Sequence, residues 1–242
     1  MKIDTCIIIK NEENNIEPLV HQLAMFSDEI HITDTGSTDS TLEILEKLKE
    51  TYSNLFIHHF EWVMDFSKAK NYSLTCYECN ADYQFWCDAD DQLNDTLIQT
   101  LQEFRDSEDK DANIYYIHYQ YFDGDTNPHL RTSLLKTNSD IQWHDPIHEY
   151  VALREDYKLD TDFFDNGSLI IHKRVHGHTM RNLEIFFNME KTKYEFTGRN
   201  RYYYGQELLG FGLNDSAANQ FIKCIDFNNG DLLDKFNSII KK

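Results

Sequence analysis

The first 90 residues alternate short apolar runs with helix-period stretches, and this rhythm constrains the fold more than anything else in the chain. Thr5–Ile9, Glu29–Thr33, Leu55–Phe60 and Tyr83–Cys87 read as strands, each stopped by a polar loop. Between them, Ile16, Leu19, Val20, Leu23 and Phe26 recur at helical spacing, with Pro18 in the first turn. Thr41–Lys49 places Leu42, Leu45 and Leu48 on one side, and Phe66–Tyr77 supplies a third helix. Strands and helices joined by short loops predict a parallel, right-handed α/β sheet.

The fourth run ends in three carboxylates, Asp88, Asp90 and Asp91. The carboxyl edge of an open α/β sheet is where ligands bind. Two carboxylates one residue apart there can share a hard divalent cation and a phosphate-bearing ligand, and taken alone they also suit a solvated turn.

The second half changes character. Thr96–Phe104 is helical, Ile114–Phe122 alternates aromatic and polar residues into the turn signal Asp123-Gly124-Asp125, and Arg131–Lys136 is the return strand. Ser168–His172 is a further strand. Helical spacing resumes at Arg181, through Leu183, Phe186 and Phe187, then Tyr202–Leu209 and Ala217–Ile225. The expected division is 1–180 as a catalytic domain, with halves 1–95 and 96–180, and 181–242 as a helical extension.

Charge and composition narrow the function. With 42 acidic against 23 basic residues, net −19, the chain repels nucleic acid and anionic membranes at long range. A basic group, Lys173, Arg174, Arg181, Lys191, Lys193, Arg199 and Arg201, leaves room for a local anion groove. No apolar run approaches the roughly 20 residues of a membrane span, and no signal peptide opens the chain, so a cytoplasmic protein is expected. The five cysteines are expected as reduced thiols; Cys76 and Cys79 form a lone Cys-x-x-Cys without the second pair of a zinc site.

Several motifs, in order, resemble the GT-A fold and family 2 of the nucleotide-sugar glycosyltransferases. Lys10-Asn11-Glu12-Glu13 is similar to the family's opening nucleotide loop, and Asp34-Thr35-Gly36-Ser37-Thr38-Asp39 to its second loop. Asp65-Phe66-Ser67-Lys68-Ala69-Lys70-Asn71 resembles its Asp-Phe-x-x-Ala-Arg-Asn segment, with lysine at the arginine position. Asp88-Ala89-Asp90 matches the Asp-x-Asp signature. Trp143-His144-Asp145-Pro146-Ile147-His148-Glu149 resembles the Val-His-Glu segment of a subgroup with C-terminal helices, whose members include peptide S-glycosyltransferases.

The resemblance implies a GT-A α/β fold with a mixed central sheet and a short helical extension. It implies an inverting transfer from a nucleotide-diphospho-sugar, UDP-linked for preference, assisted by Mn²⁺ or Mg²⁺. The acceptor is open among a protein or peptide side chain, a glycan and a modified nucleobase in DNA. Lys10, Asn11, Glu12, Asp34, Lys70, Asp88 and Ala89 are then the donor-nucleotide contacts, with a helix-capping turn residue as the less favoured reading of Asp34. Asp90 is the metal ligand and His172 a second one, unless it is a strand-end histidine bonded to backbone; imidazole favours Mn²⁺. Glu149 is the general base with His148 beside it, or the reverse. A zinc helix from His144 and His148 is excluded by Pro146. Trp143 and Asp91 are acceptor-side candidates, and Trp143 with Tyr115, Tyr116, Tyr119, Tyr121 and Phe122 also reads as core. The alternatives are an inactive nucleotide-sugar-binding or interaction module and a haloacid dehalogenase-type phosphohydrolase.

Overall fold

The computed structural model describes residues 1–107, 111–121, 128–137, 140–153, 160–173 and 179–240. The first half follows the expected alternation: β1 (Ile3–Ile9), α1 (Ile16–Leu23), β2 (Glu29–Asp34), α2 (Thr41–Thr51), β3 (Leu55–His59), α3 (Phe66–Thr75) and β4 (Tyr83–Phe85). β2 and β3 lie in parallel on one side of β1, and β4 is parallel on its other side. The chain thus reverses its direction of travel at β1, and the carboxyl ends of β1, β2 and β4 open onto a topological switch point. β4 ends at Phe85, two residues before the expected Cys87, with Trp86 N–H still bonded in register to the carbonyl of Ser133 on the neighbouring strand.

The remaining strands make the sheet mixed. β5 (Asp91–Leu93), β6 (Ile114–Tyr121), β7 (His129–Lys136) and β11 (Leu169–His172) complete the order β3-β2-β1-β4-β7-β6-β11-β5, and β10 (Thr161–Phe163) shares the outer edge of β6 with β11. β6 and β7 pair antiparallel, as the hairpin reading required; its turn at Asp123–Asp125 lies outside the described residues. β8 (Ile141–His144) and β9 (Tyr150–Leu153) form a separate two-stranded ribbon.

β5 is locked beside β11 by α4 (Asp95–Arg105). Asn94 caps that helix by accepting from Leu97 N–H at 2.9 Å, and the same oxygen accepts from Leu169 N–H at 3.0 Å. One side chain therefore starts the helix and fixes the level of the strand that ends in His172.

The apolar core is in two parts, one between the parallel strands and α1, α2 and α4, the other against the antiparallel strands β6 and β7. Ile3, Ile7, Ile16, Leu19, Val20, Leu23, Phe26, Ile30 and Leu45 are buried in one cluster, and Trp86, Ile114, Leu135, Ile141 and Trp143 in another.

The chain divides into two compact units, one comprising Met1–Val63, Ser67–His144 and Val151–Val175, the other Met64–Phe66, Asp145–Tyr150 and His176–Lys242. The second unit carries α5 (Met180–Lys191), α6 (Gly198–Gly210) and α7 (Asn214–Ile240). α6 opens with a capping box between Thr197 and Asn200, and Gly205 lets α7 approach closely, since a Cβ there would fall 2.5 Å from the ring of Phe221.

Candidate active site

In the first unit, the loops after β1 and β2 are sewn together. Asn11 adopts φ 58°, a left-handed conformation that non-glycine residues seldom take. Its N–H donates to Ser37 Oγ at 2.9 Å, and its side-chain oxygen accepts from Thr38 N–H at 2.7 Å. Glu12 N–H donates to Thr41 Oγ1, while Lys10 stands exposed at the end of β1. Asp34 is buried at the end of β2 and accepts from the N–H groups of Gly36 and Ser37 at 3.0 Å each. Its carboxylate thus shapes the second loop, and the φ of 105° at Gly36 completes that turn.

The acidic cluster is held from three sides. Asp91, 3% exposed, accepts from Tyr119 Oη–H at 2.9 Å and from Asp88 N–H at 2.8 Å, and pairs with His172 Nδ1 at 2.8 Å. Asp90 Oδ1 lies 3.5 Å from the same His172 nitrogen, and its carbonyl accepts from Lys173 N–H. Asp88 pairs with Arg131 on β7 at 2.8 Å, and the guanidinium also reaches Asp91 at 3.8 Å while lying 4.5 Å over the ring of Tyr119. Asp88, Asp90, Asp91 and His172 each bring one ligand atom within 4.8 Å of the others. Asn11, Glu12, Asn15, Asp90 and Lys173 line a cavity of about 220 Å³, which joins the first loop to the carboxylates.

The electrostatics follow from these contacts. Burial by itself raises the Asp88 carboxyl, but Arg131 and then Lys70 outweigh it and hold it at about 2. Burial raises Asp91, which keeps its proton demand high despite the bond to His172. For His172 burial works downward, yet the bond to Asp91 and the charge of Asp90 carry it above its usual value. An oxygen-rich set with one imidazole is a donor set that Mn²⁺ or Mg²⁺ accepts, so the residues fit a divalent ion.

Lys70 and Trp143 are interior residues. Lys70 is 2% exposed, with its ammonium 4.5 Å over Trp86 and 4.1 Å over Trp143. Asn71 brackets Trp143, donating to its carbonyl and accepting from its N–H, both at 2.9 Å. Ala89 is buried between the carboxylates.

In the second unit, His148 has φ 53°, and Glu149 follows it, half-buried. His148 stacks on Tyr203 at 4.2 Å, and its Nε2 lies 3.4 Å from Glu207. Arg199 donates to the His148 carbonyl and to Asp145, and Asp145 also accepts from Asn200 at 2.7 Å and Tyr194 at 2.9 Å. Asp145 itself has φ 69°, so two left-handed residues in this loop are held by α6 and by Tyr194 in the connection before it.

The sequence profile of the family described as "Glycosyl transferase family 2" matches residues 4–176. The chain belongs to that family. The fold of this transferase agrees: the crystal structure of S. aureus TarS 1–349 in complex with UDP-GlcNAc matches with a TM-score of 0.57 and 16% identity, covering 93% of this chain and 72% of that one. The structure of TarS 1–349 alone gives 0.56 and 16%, covering 93% and 71%. The architecture is therefore the GT-A glycosyltransferase fold, a mixed sheet followed by C-terminal helices. The phosphohydrolase alternative falls with this assignment. A "TPR repeat-containing protein" of Synechococcus elongatus is 26% identical over 152 residues, 62% of this chain; the match spans 35% of that protein's own length. Among the described residues, no helix is long and apolar enough to cross a membrane.

Sequence reasoning does not find Arg131, and it reads Tyr119 as a core or stacking residue and not as the donor to Asp91. The signal available was a charged residue opening a strand and a tyrosine on an inward position of its partner, and neither is specific without the pairing.

Proposed function

We propose that this transferase moves a sugar from a UDP-sugar to an acceptor nucleophile by direct displacement, with inversion at the anomeric carbon. One observation carries the proposal: Asp88, Asp90 and His172 converge at the carboxyl edge of the sheet, beside the cavity lined by Asn11, Glu12 and Asp90. Family membership supplies the reaction class, and UDP-GlcNAc bound to a protein of the same fold supports a UDP-linked donor.

In this reading Asp90 and His172 hold Mn²⁺ or Mg²⁺, which when bound neutralises the diphosphate leaving group. Asp88, kept ionised by Arg131, accepts from the ribose hydroxyls or from water on the ion. Asp91 orients His172 through Nδ1, the outer-shell bond that fixes the ring of a metal-bound histidine. Asn11 and Glu12 shape the nucleotide loop, Lys10 brings positive charge to the phosphates, and Asp34 meets the base with the carboxylate that also forms its turn. Lys70 acts at a distance, as a buried cation that lowers Asp88, with Trp86 and Trp143 holding it in place. Trp143 then serves the donor side and not the acceptor.

Glu149 takes the acceptor proton, and His148 is held beside it by Tyr203 and Glu207. The catalytic domain of this proposal is 1–180, with the helices after it bracing the base loop.

Incubation with Mn²⁺ and a panel of UDP-, GDP- and dTDP-sugars tests the reading through the nucleotide released. UDP release that disappears in Asp90→Asn supports it. Release that is indifferent to donor and metal contradicts it.

A further inference from the structure

A second convergence of ligand-type side chains lies toward the amino ends of the same strands. Asp4 on β1 and Glu29 on β2 are register partners, so two carboxylates stand side by side on neighbouring strands. His31, 2% exposed, is two residues further along β2. One ligand atom from each of Asp4, Glu29 and His31 lies within 4.8 Å of the others. Five ladder positions separate the Asp4 and Glu29 pair from Ile9 and Asp34, roughly 16 Å at ~3.3 Å per residue.

This group is more than a patch of acid. Adjacent like charges on a sheet are unfavourable, and among the described residues no lysine or arginine pairs with either carboxylate. The partner of Glu29 is His31, at 3.0 Å from Nε2. The other ring nitrogen, Nδ1, lies 3.0 Å from Nε2 of His58. Beside the Glu29 carboxylate the neutral ring donates Nε2–H; a cation bound there would take the place of that proton, and Nδ1–H would then donate to His58. That is the outer-shell arrangement of a metal-bound histidine. Tyr77 stacks on His31 at 3.4 Å and donates to Asp4 at 3.1 Å, and the Cys79 thiol sits 3.5 Å from the same Asp4 oxygen. One thiol of the Cys-x-x-Cys noted in the sequence therefore reaches the group.

We propose that Asp4, Glu29 and His31, with Cys79 as fourth donor, bind a zinc-type divalent ion in a structural site separate from the donor pocket. An imidazole with two carboxylates, and a thiol in reach of Asp4 to recruit as the fourth donor, favours Zn²⁺ over the hard ions suited to Asp90. The site would tie β1, β2 and the segment after α3 together and remove the repulsion between the carboxylates. It does not depend on the proposed transferase chemistry.

The test uses the full chain carrying Asp90→Asn, so that the first cluster does not account for bound metal. The protein is stripped with chelator, loaded with Zn²⁺ alone, desalted and assayed for metal content and melting temperature. Retention of about one Zn²⁺ per chain is expected, with a raised melting temperature. Glu29 is half exposed, so Glu29→Gln leaves the fold intact, checked by circular dichroism, and should weaken Zn²⁺ binding roughly tenfold or more. Co²⁺ in place of Zn²⁺ should give tetrahedral absorption with a thiolate band that Cys79→Ser removes. A chain that retains no Zn²⁺, or a Glu29→Gln variant that binds it as tightly as its parent, overturns the site. A cobalt spectrum unchanged by Cys79→Ser overturns the fourth ligand.

Discussion

Arg131 Nη2 lies 2.8 Å from Asp88 Oδ2, so a cation on β7 neutralises the first carboxylate of the Asp-x-Asp signature. The same guanidinium reaches Asp91 and covers the face of Tyr119, which ties the acidic turn to the antiparallel half of the sheet. The turn after β4 can carry three carboxylates because this cation and the imidazole of His172 offset them.

Replacing that cation should be costly in two ways. Arg131→Gln leaves Asp88 and Asp91 facing each other with one counter-charge fewer, and a loss of about 1–3 kcal/mol is expected, discounted for the partial exposure of the pair. The pH dependence follows from the depressed Asp88. Its carboxyl moves from 3.8 to about 2, so its stabilisation is present above pH 3.8 and is lost as pH falls through about 2. Urea titrations at pH 7 and between pH 4 and 2 should show the variant weaker at neutral pH and the gap closing in acid. An equal gap at every pH contradicts the linkage.

His172 titrates in the opposite sense. Its folded value lies above 6.5, so its charged form contributes stability below pH 6.5, lost as pH rises through the folded value. A proton and a divalent ion compete for this ring, so Mn²⁺ affinity should rise with pH above 6.5, followed by the electron paramagnetic resonance signal of free Mn²⁺. His172→Gln should flatten that rise and weaken binding.

The sequence carried the parallel half well, because β1, β2 and β3 and the helices between them announce themselves by local period. β5, β8, β9 and β10 were not legible: each has three or four residues, too few to show a period, and β5 and β10 are fixed by partners far along the chain. Asp91 starts β5 through pairing with His172, 81 residues away. The grouping of single residues was legible in part. Asp90 and His172 meet as their types suggested, whereas the service of Arg131 to Asp88 depends on how β7 lies beside β4. Lys70 was read as a cation for the diphosphate, and its two-tryptophan cage could not be seen from spacing. α7 continues to Ile240, beyond the expected Ile225, since its weak apolar period gives no stop signal.

Asn94 supplies a control on the scaffold. Asn94→Ala removes the cap of α4 and the bond to Leu169, and should lower stability by about 1–2 kcal/mol. Because Leu169 leads directly to His172, Mn²⁺ affinity should fall as well. Calorimetric melting with a parallel Mn²⁺ titration measures both; unchanged metal affinity would separate the cap from the site.

Glu149→Gln should reduce sugar transfer by about 10²–10⁴-fold while leaving UDP affinity within error of the parent. His148→Gln should lower transfer less, since its ring is a neighbour of the base and is replaceable as a hydrogen-bonding group. The reverse ranking, measured in single-turnover assays, would make His148 the base.

The most direct measurement is calorimetric titration of UDP into the parent chain and into Asp90→Asn, each with and without Mn²⁺. The proposed donor site requires that Mn²⁺ strengthen UDP binding to the parent by at least roughly tenfold, and that Asp90→Asn abolish the gain. UDP affinity that is the same with and without Mn²⁺ in the parent would contradict the assignment of Asp90 and His172 as the metal and diphosphate corner.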